Sequence, residues 1–269
     1  MPELPSSLET AATRIVRPAA SRVGSPVFAR YWQARRSGRP RVVVYADSRA
    51  TNVIGPLGKS VFGTYVSRLM RSYCVQPVVL PFSHTTLLDF VNFWRSRPRR
   101  CDAVVLHCGI VDFSPRPVST LSRIAAAKSG EPGFRELFAR HAAYHRAAAG
   151  PEYHGEPTTT LYSLEYLEDA LLPALVSIPN LLWVTTNDFV PGWEGNYTRG
   201  RPVDIAARIA EFESRMRLAL SNVVDLHAWS AADVRRFTVD NVHFSRRGFA
   251  EVTRILDSAL RGVAGDAPA

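Results

Sequence analysis

Three side chains in this sequence could together draw a proton from a hydroxyl and pass it on. Ser48 stands just after the apolar run RVVVYA, and Asp240 and His243 lie three residues apart in Asp240-Asn241-Val242-His243. A serine hydroxyl is a poor nucleophile until an imidazole takes its proton, and the imidazole needs a carboxylate to fix its tautomer and stabilise its cation. An aspartate three residues before a histidine lets one loop pair the two. A histidine so placed has little packing purpose. Taken singly, Ser48 is an ordinary turn or N-cap residue, and only its conjunction with the later pair gives it chemistry. Asp47 and Asp112 read first as loop caps, and His107 and His227 as packed histidines outside the site.

These residues need a frame that gathers them on one rim. From residue 41 onward, short β-branched runs alternate with longer helical stretches, which predicts a parallel sheet covered on both faces. Five strands are expected: Arg41–Ala46, 75–80, Ala103–His107, 181–185 and 222–226. Helices are expected at 57–73, 86–95, 161–176, 204–220 and 247–260. Ligands of open α/β sheets bind beyond the carboxyl ends of the strands. Ser48 follows the first strand, Gly109-Ile110-Val111-Asp112 the third, Asn187-Asp188 the fourth, and Asp240 and His243 come after the fifth, so all fall on that rim.

The connection 113–160 is too long for an α/β unit, where ~2 to 6 residues are usual. It is expected to form a cap-like insertion with a helix at 136–149 and an irregular Gly/Pro segment. Residues 1–40, with five prolines, read as broken helices or a mobile extension. The domain proper is placed at 41–262.

Of the 269 residues, 46% are hydrophobic, enough for one full core. The formal charge is +9, and Lys59 and Lys128 are the only lysines among 33 basic residues. The arginine clusters lack interleaved aromatics, so a nucleic-acid surface is disfavoured, and an anionic substrate is one reading of the charge. Three cysteines without C-x-x-C spacing indicate neither a disulfide framework nor a zinc ribbon. No run is long enough for a membrane span, and the start of the chain lacks a signal-peptide apolar core. The expectation is a cytoplasmic protein. GPLGKS at 55–60 sits where a phosphate loop would, but Val53 occupies a required glycine position and Pro56 removes a donor. His84, His107, Asp112 and His243 show no metal-ligand spacing.

The strand ending in ADS, the strand followed by GIVD, and DNVHFSRRGF ahead of the last helix resemble the GDS, G-x-N-D and D-x-x-H blocks of the SGNH (GDSL-type) hydrolases. The resemblance runs from about residue 41 to 260. The α-β-hydrolase elbow G-x-S-x-G is absent. The resemblance implies a three-layer α/β/α, flavodoxin-like parallel sheet of about five strands. It implies a serine esterase without a cofactor or metal, with catalytic Ser48, Asp240 and His243. The backbone N–H groups of Ser48 and Ser83 would serve as oxyanion donors, and Asp47, His84, Gly109 and Asn187 would face the substrate. Substrates of the family include acetylated sugars, lipids and other acyl esters, so a glycan or lipid ester is expected, by hydrolysis or acyl transfer. Tyr144, Tyr153, Tyr162 and Trp193 could serve as platforms for sugar rings.

The departures are Ala46 for the first-block glycine, Ser83 near the second-block glycine, and Val111 for the asparagine whose side chain would donate to the oxyanion. Loss of one such donor costs on the order of 10² to 10³ in kcat in a well-studied protease. Asn187, His84 or Asn52 could substitute. A catalytically impaired binding protein on the same scaffold, and a basic interaction protein, are the alternatives.

Overall fold

The computed structural model describes residues 25–54, 60–79, 84–96 and 100–264. The phosphate-loop reading of residues 55–59, the oxyanion reading of Ser83 and the expectation for residues 1–24 lie outside the described residues.

Five parallel strands form the main sheet: β1 (Arg41–Ala46), β2 (Cys74–Val79), β3 (Ala103–His107), β7 (Leu181–Val184) and β8 (Val223–Val224), in the order β2-β1-β3-β7-β8. Strands β4 (Arg116–Pro117), β5 (Gly150–Tyr153) and β6 (Glu156–Thr159) form a second, antiparallel sheet in the order β4-β6-β5. Strands β1, β3 and β7 are runs of Val, Leu and aromatic residues, as burial on both faces requires, while the edge strand β2 is only half-buried.

Alternate residues of each strand serve opposite cores. Val43, Tyr45, Val104, Leu106 and Trp183 pack on one side. Helices α3 (Leu87–Ser96), α5 (Val118–Lys128), α6 (Phe134–Arg140) and α10 (Ile205–Ala219) supply the apolar side chains there. Val42, Val44, Val105, Leu182 and Val184 pack on the other side. They meet α1 (Ser25–Arg35), α2 (Tyr65–Leu69), α11 (Ala231–Phe237) and α12 (Arg246–Ala264). Along α12, Phe249, Val252, Leu256 and Leu260 are buried, the three- and four-residue spacing of a helix lying on a sheet. The architecture is three-layer α/β/α, with the strand order of flavodoxin-like sheets.

That order puts the topological switch between β1 and β3, because the chain leaves β1 toward β2 on one side and returns to β3 on the other. The loops after β1 and β3 therefore part over a crevice. Asp47 N donates to His107 O (3.1 Å), which holds the start of the first loop against the end of β3.

Several elements differ from expectation. The helix expected at 57–73 is described only as α2, five residues preceded by a turn with Gly63 at φ 75°. The helix expected at 136–149 is two short pieces, α6 and α7 (Ala142–Arg146), broken at His141. The Gly/Pro segment after it is not irregular but a hairpin of β5 and β6. His154 and Gly155, both at positive φ (56° and 75°), turn it in the manner of two-residue hairpin loops. The stretch 161–176 carries a π turn (Leu167–Leu171) between α8 (Leu164–Tyr166) and α9 (Leu172–Val176). Pro173 at the start of α9 lacks the N–H that an unbroken α-helix would need there. Within residues 1–40, α1 docks on the edge strand, with Ala29 buried and Gln33 Nε2 donating to Val75 O (2.9 Å).

Candidate active site

The loop after β1 closes into a single 3-10 turn, Ser48–Ala50. Asp47 caps that turn by accepting from Arg49 N (2.9 Å), and its carboxylate grips the Arg49 guanidinium through Nε and Nη2 (3.0 and 2.9 Å). Both side chains are withdrawn from solvent. Asp47 is thus committed to shaping the loop and does not face a substrate. The N–H of Ser48 donates to no described residue, and the Ser48 side chain is only partly buried.

Ser48 Oγ lies 3.2 Å from His243 Nε2, and His243 Nδ1 lies 2.8 Å from Asp240 Oδ2. Asp240 is 6% exposed. Its other oxygen accepts from the backbone N–H of His243 (2.7 Å) and Val242 (3.1 Å). Burial alone would raise the Asp240 pKa. The hydrogen bonds from His243 and Val242 outweigh burial and hold the carboxyl below its ordinary value. The result is an ionised carboxylate behind a histidine whose far nitrogen meets a serine, which suits proton removal from Ser48.

The segment between Asp240 and His243 is held by Asn241, a residue not singled out in the sequence. Asn241 sits at φ 66°, in the left-handed region where asparagine is tolerated. Its Oδ1 accepts from Val190 N (2.9 Å), its Nδ2 donates to Trp193 O, and its own carbonyl accepts from Asn187 Nδ2 (2.9 Å). Loop 190–201 is thereby fastened to the histidine loop. Asn196 N donates to Val239 O (2.8 Å), Arg201 Nη2 donates to Asp240 O, and Gly195 approaches so closely that an added Cβ would stand 2.1 Å from Val239 O. The nearest signal in the sequence was the D-N dipeptide itself, a pair that favours turns.

Asn187 is buried, and its amide donates to the carbonyls of Asp188 and Asn241 (both 2.9 Å). Both of its N–H groups are spent on the loops, so it neither faces a substrate nor replaces the missing oxyanion donor. Asn52 pairs in a bridge with Ser60 and accepts from Ile54 N (3.3 Å). Gly109, two residues past the end of β3, sits at φ 127°, a conformation glycine allows, and α4 (Ile110–Phe113) begins beside it. Val111 lies on that turn, and its carbonyl accepts from Arg116 Nε (3.2 Å).

Asp112 is fully buried and accepts from Leu87 N (3.0 Å), at the start of α3, and from Tyr162 Oη (2.9 Å). It caps a helix, although not the loop it belongs to. Burial pushes its pKa up to about 7 against those two hydrogen bonds. Tyr162, enclosed here, cannot be a sugar platform. His84, at φ 75°, is partly buried, and burial with the charges of Arg116, Lys128 and Arg123 lowers its pKa to about 4. His107 bonds to Tyr65 Oη through Nδ1 (2.9 Å), stacks on Phe244, and is kept neutral by burial.

His227 is more than a packed histidine. Its ring bridges the buried Glu213 (Nε2, 2.6 Å) and Asp188 (Nδ1), and the Glu213 bond, against burial, raises its pKa to about 9. No three His, Cys, Asp or Glu side chains gather as metal ligands among the described residues. Cys74 and Cys108 are unbridged. No helix among the described residues is long and apolar enough to cross a membrane.

No protein-family model matches the chain, and no curated protein matches it. Solved structures do. A lipase/acylhydrolase from Enterococcus faecalis matches over 83% of this chain and 96% of its own, at 13% identity and a TM-score of 0.47. A carbohydrate acetylesterase family member from Sinorhizobium meliloti matches over 84% of this chain and all of its own, at 13% identity and a TM-score of 0.43. A catalytic mutant of an acetylxylan esterase from Geobacillus stearothermophilus matches over 84% and 94%, at 15% identity and a TM-score of 0.42. In architecture the chain is a three-layer α/β/α protein with a five-stranded parallel sheet whose first strand runs into the serine loop.

Proposed function

We propose that the chain is a serine esterase that cleaves or transfers an acyl group held in an ester. The observation that carries this reading is the unbroken contact from Ser48 through His243 to Asp240. Ser48 Oγ attacks the ester carbonyl as His243 Nε2 takes its proton. Asp240 holds the ring in the tautomer with a proton on Nδ1 and stabilises the imidazolium. His243 then returns the proton to the leaving alkoxide, and water or an acceptor hydroxyl, deprotonated by the same ring, releases the acyl group. The N–H of Ser48, which donates to no described residue, is available to the oxyanion. No step calls for a cofactor. A glycan or lipid ester is the substrate class we favour.

The test is turnover of p-nitrophenyl acetate and longer acyl esters by wild type and by Ser48→Ala, with fluorophosphonate labelling in parallel. Ser48-dependent turnover and stoichiometric labelling are expected. Val111 favours one competing reading, a binding protein on the same scaffold, since valine offers the oxyanion no side-chain donor. A folded protein that neither turns over ester nor takes the label would establish that reading instead.

A further inference from the structure

Arg116 has no acidic partner among the described residues. It opens β4, and its Nε donates to the carbonyl of Val111 (3.2 Å), so it hangs from the turn that follows β3. Its charge reaches His84 after β2, and the fields of Asp112 and of Tyr197 reach Arg116 in turn. Tyr197 belongs to the loop fastened to Asp240. Tyr153, in the same small sheet, donates through Oη to the carbonyls of Arg199 and Gly200 (3.1 and 2.9 Å), so the sheet that carries Arg116 joins the turn after β3 to the 190–201 loop.

A guanidinium taken out of water is costly unless a carboxylate or several acceptors meet it. The chain obeys this elsewhere. Arg49 is paired with Asp47, Lys128 with Asp89, and Arg201 with Glu194, while Arg201 also lies over the Tyr197 ring and donates to Asp240 O. Arg116 is partly buried, which lowers its pKa, and it has no carboxylate within ion-pair distance among the described residues. Asp112, whose field it feels, accepts from Leu87 and Tyr162 through Oδ1 alone, and burial pushes its pKa up to about 7, so that it offers weak compensation at neutral pH. A planar fork whose terminal nitrogens no described residue claims is suited to a carboxylate or phosphate.

We propose that Arg116 holds an anionic group of the ester substrate, a carboxylate or phosphate, so that acidic esters are preferred over neutral ones. This rests on the esterase reading and adds the substrate's charge to it. The formal charge of +9 acts in the same direction, drawing anionic substrates toward the chain.

Two pairs of substrates place the anion. p-Nitrophenyl hemisuccinate against p-nitrophenyl acetate tests the acyl side, and acetylated glucuronate against acetylated glucose tests the alcohol side. In one pair kcat/KM of the wild type should favour the acidic member by about tenfold or more, as a charge-assisted hydrogen bond allows. Arg116→Gln should erase that preference and leave the neutral member within about threefold. Arg116→Lys should keep part of it, and raised salt should narrow it. Calorimetric binding of the same esters to Ser48→Ala, with and without Arg116→Gln, reads the anion site without turnover. Turnover without an acidic preference in either pair overturns the proposal and spares the esterase. Equal loss on acidic and neutral esters in a folded Arg116→Gln also overturns it. Arg116-dependent binding of acidic esters by a wild type that turns over nothing overturns the esterase alone. Absence of both turnover and binding overturns both. If Arg116→Gln fails to fold, the wild-type preference, its salt dependence and Arg116→Lys decide.

Discussion

Asp240→Asn isolates what the carboxylate contributes to the proton relay. The replacement has the same shape, and its oxygen can still accept from the N–H groups of His243 and Val242, so the loop should keep its form. Its amide nitrogen would then face His243 Nδ1. A donor there selects the tautomer whose proton sits on Nε2, which leaves no lone pair to receive the Ser48 proton. The imidazolium of the transition state also loses its counter-charge. At the observed 2.8 Å and an effective dielectric constant of about 20, that attraction is about 6 kcal/mol, or roughly four decades in rate. The expected outcome is a fall in kcat of ~10⁴ with KM little changed, measured on p-nitrophenyl acetate. Ser48→Ala should reach a similar floor, and combining the two should cost little more, because the groups act as a unit. A folded Asp240→Asn that keeps more than about a thirtieth of wild-type kcat would refute the assigned role, since a carboxylate worth so little could not be the orienting partner.

Two further outcomes are expected. Asn241→Ala should cost about 2 to 4 kcal/mol in urea unfolding, from the orphaned Val190 N–H and from alanine in the left-handed region, while Asn241→Gly should regain about 1 kcal/mol of that; equal losses would show that the φ of 66° carries no strain. For Asp112, the folded pKa of about 7 stands above its ordinary 3.8, so between those values the folded chain keeps a proton that the unfolded chain has released. Its contribution to stability therefore falls as pH rises through that window and levels off above it. The unfolding free energy of Asp112→Asn should gain on wild type by about 4 kcal/mol between pH 4 and pH 8, and parallel curves would show that Asp112 is ionised throughout.

The central strands could be read from the chain because they are continuous β-branched or leucine-rich runs, the mark of a sheet buried on both faces. Arg41–Ala46 and Ala103–His107 needed no adjustment. The pairing of Asp240 with His243 was legible because it is local, three residues within one loop. What escaped was held by contacts between distant segments. Nothing near Asn241 announces that Val190 and Trp193 will close on it, and nothing near Asp112 announces Leu87 or Tyr162. The same holds for Asp47 and Asn187, whose types suited a pocket but whose donors and acceptors are consumed in building the loops. The hairpin 150–159 was hidden by its composition, since glycine and proline mark irregular chain and tight turns equally well.

Ser48 and His243 are 195 positions apart along the chain, yet their side chains meet. The contact exists only when β1 is seated in the sheet and α12 has closed over it with Phe249, Val252 and Leu256 in the core. On the proposed esterase reading, chemistry in this molecule would therefore be a report on completion. A growing chain on the ribosome would carry Ser48 early and stay inert until α12 docks, so that a reactive serine is not displayed on a half-made protein. The rate at which a refolding sample regains turnover would time the docking of that helix, with the substrate serving as the probe of folding.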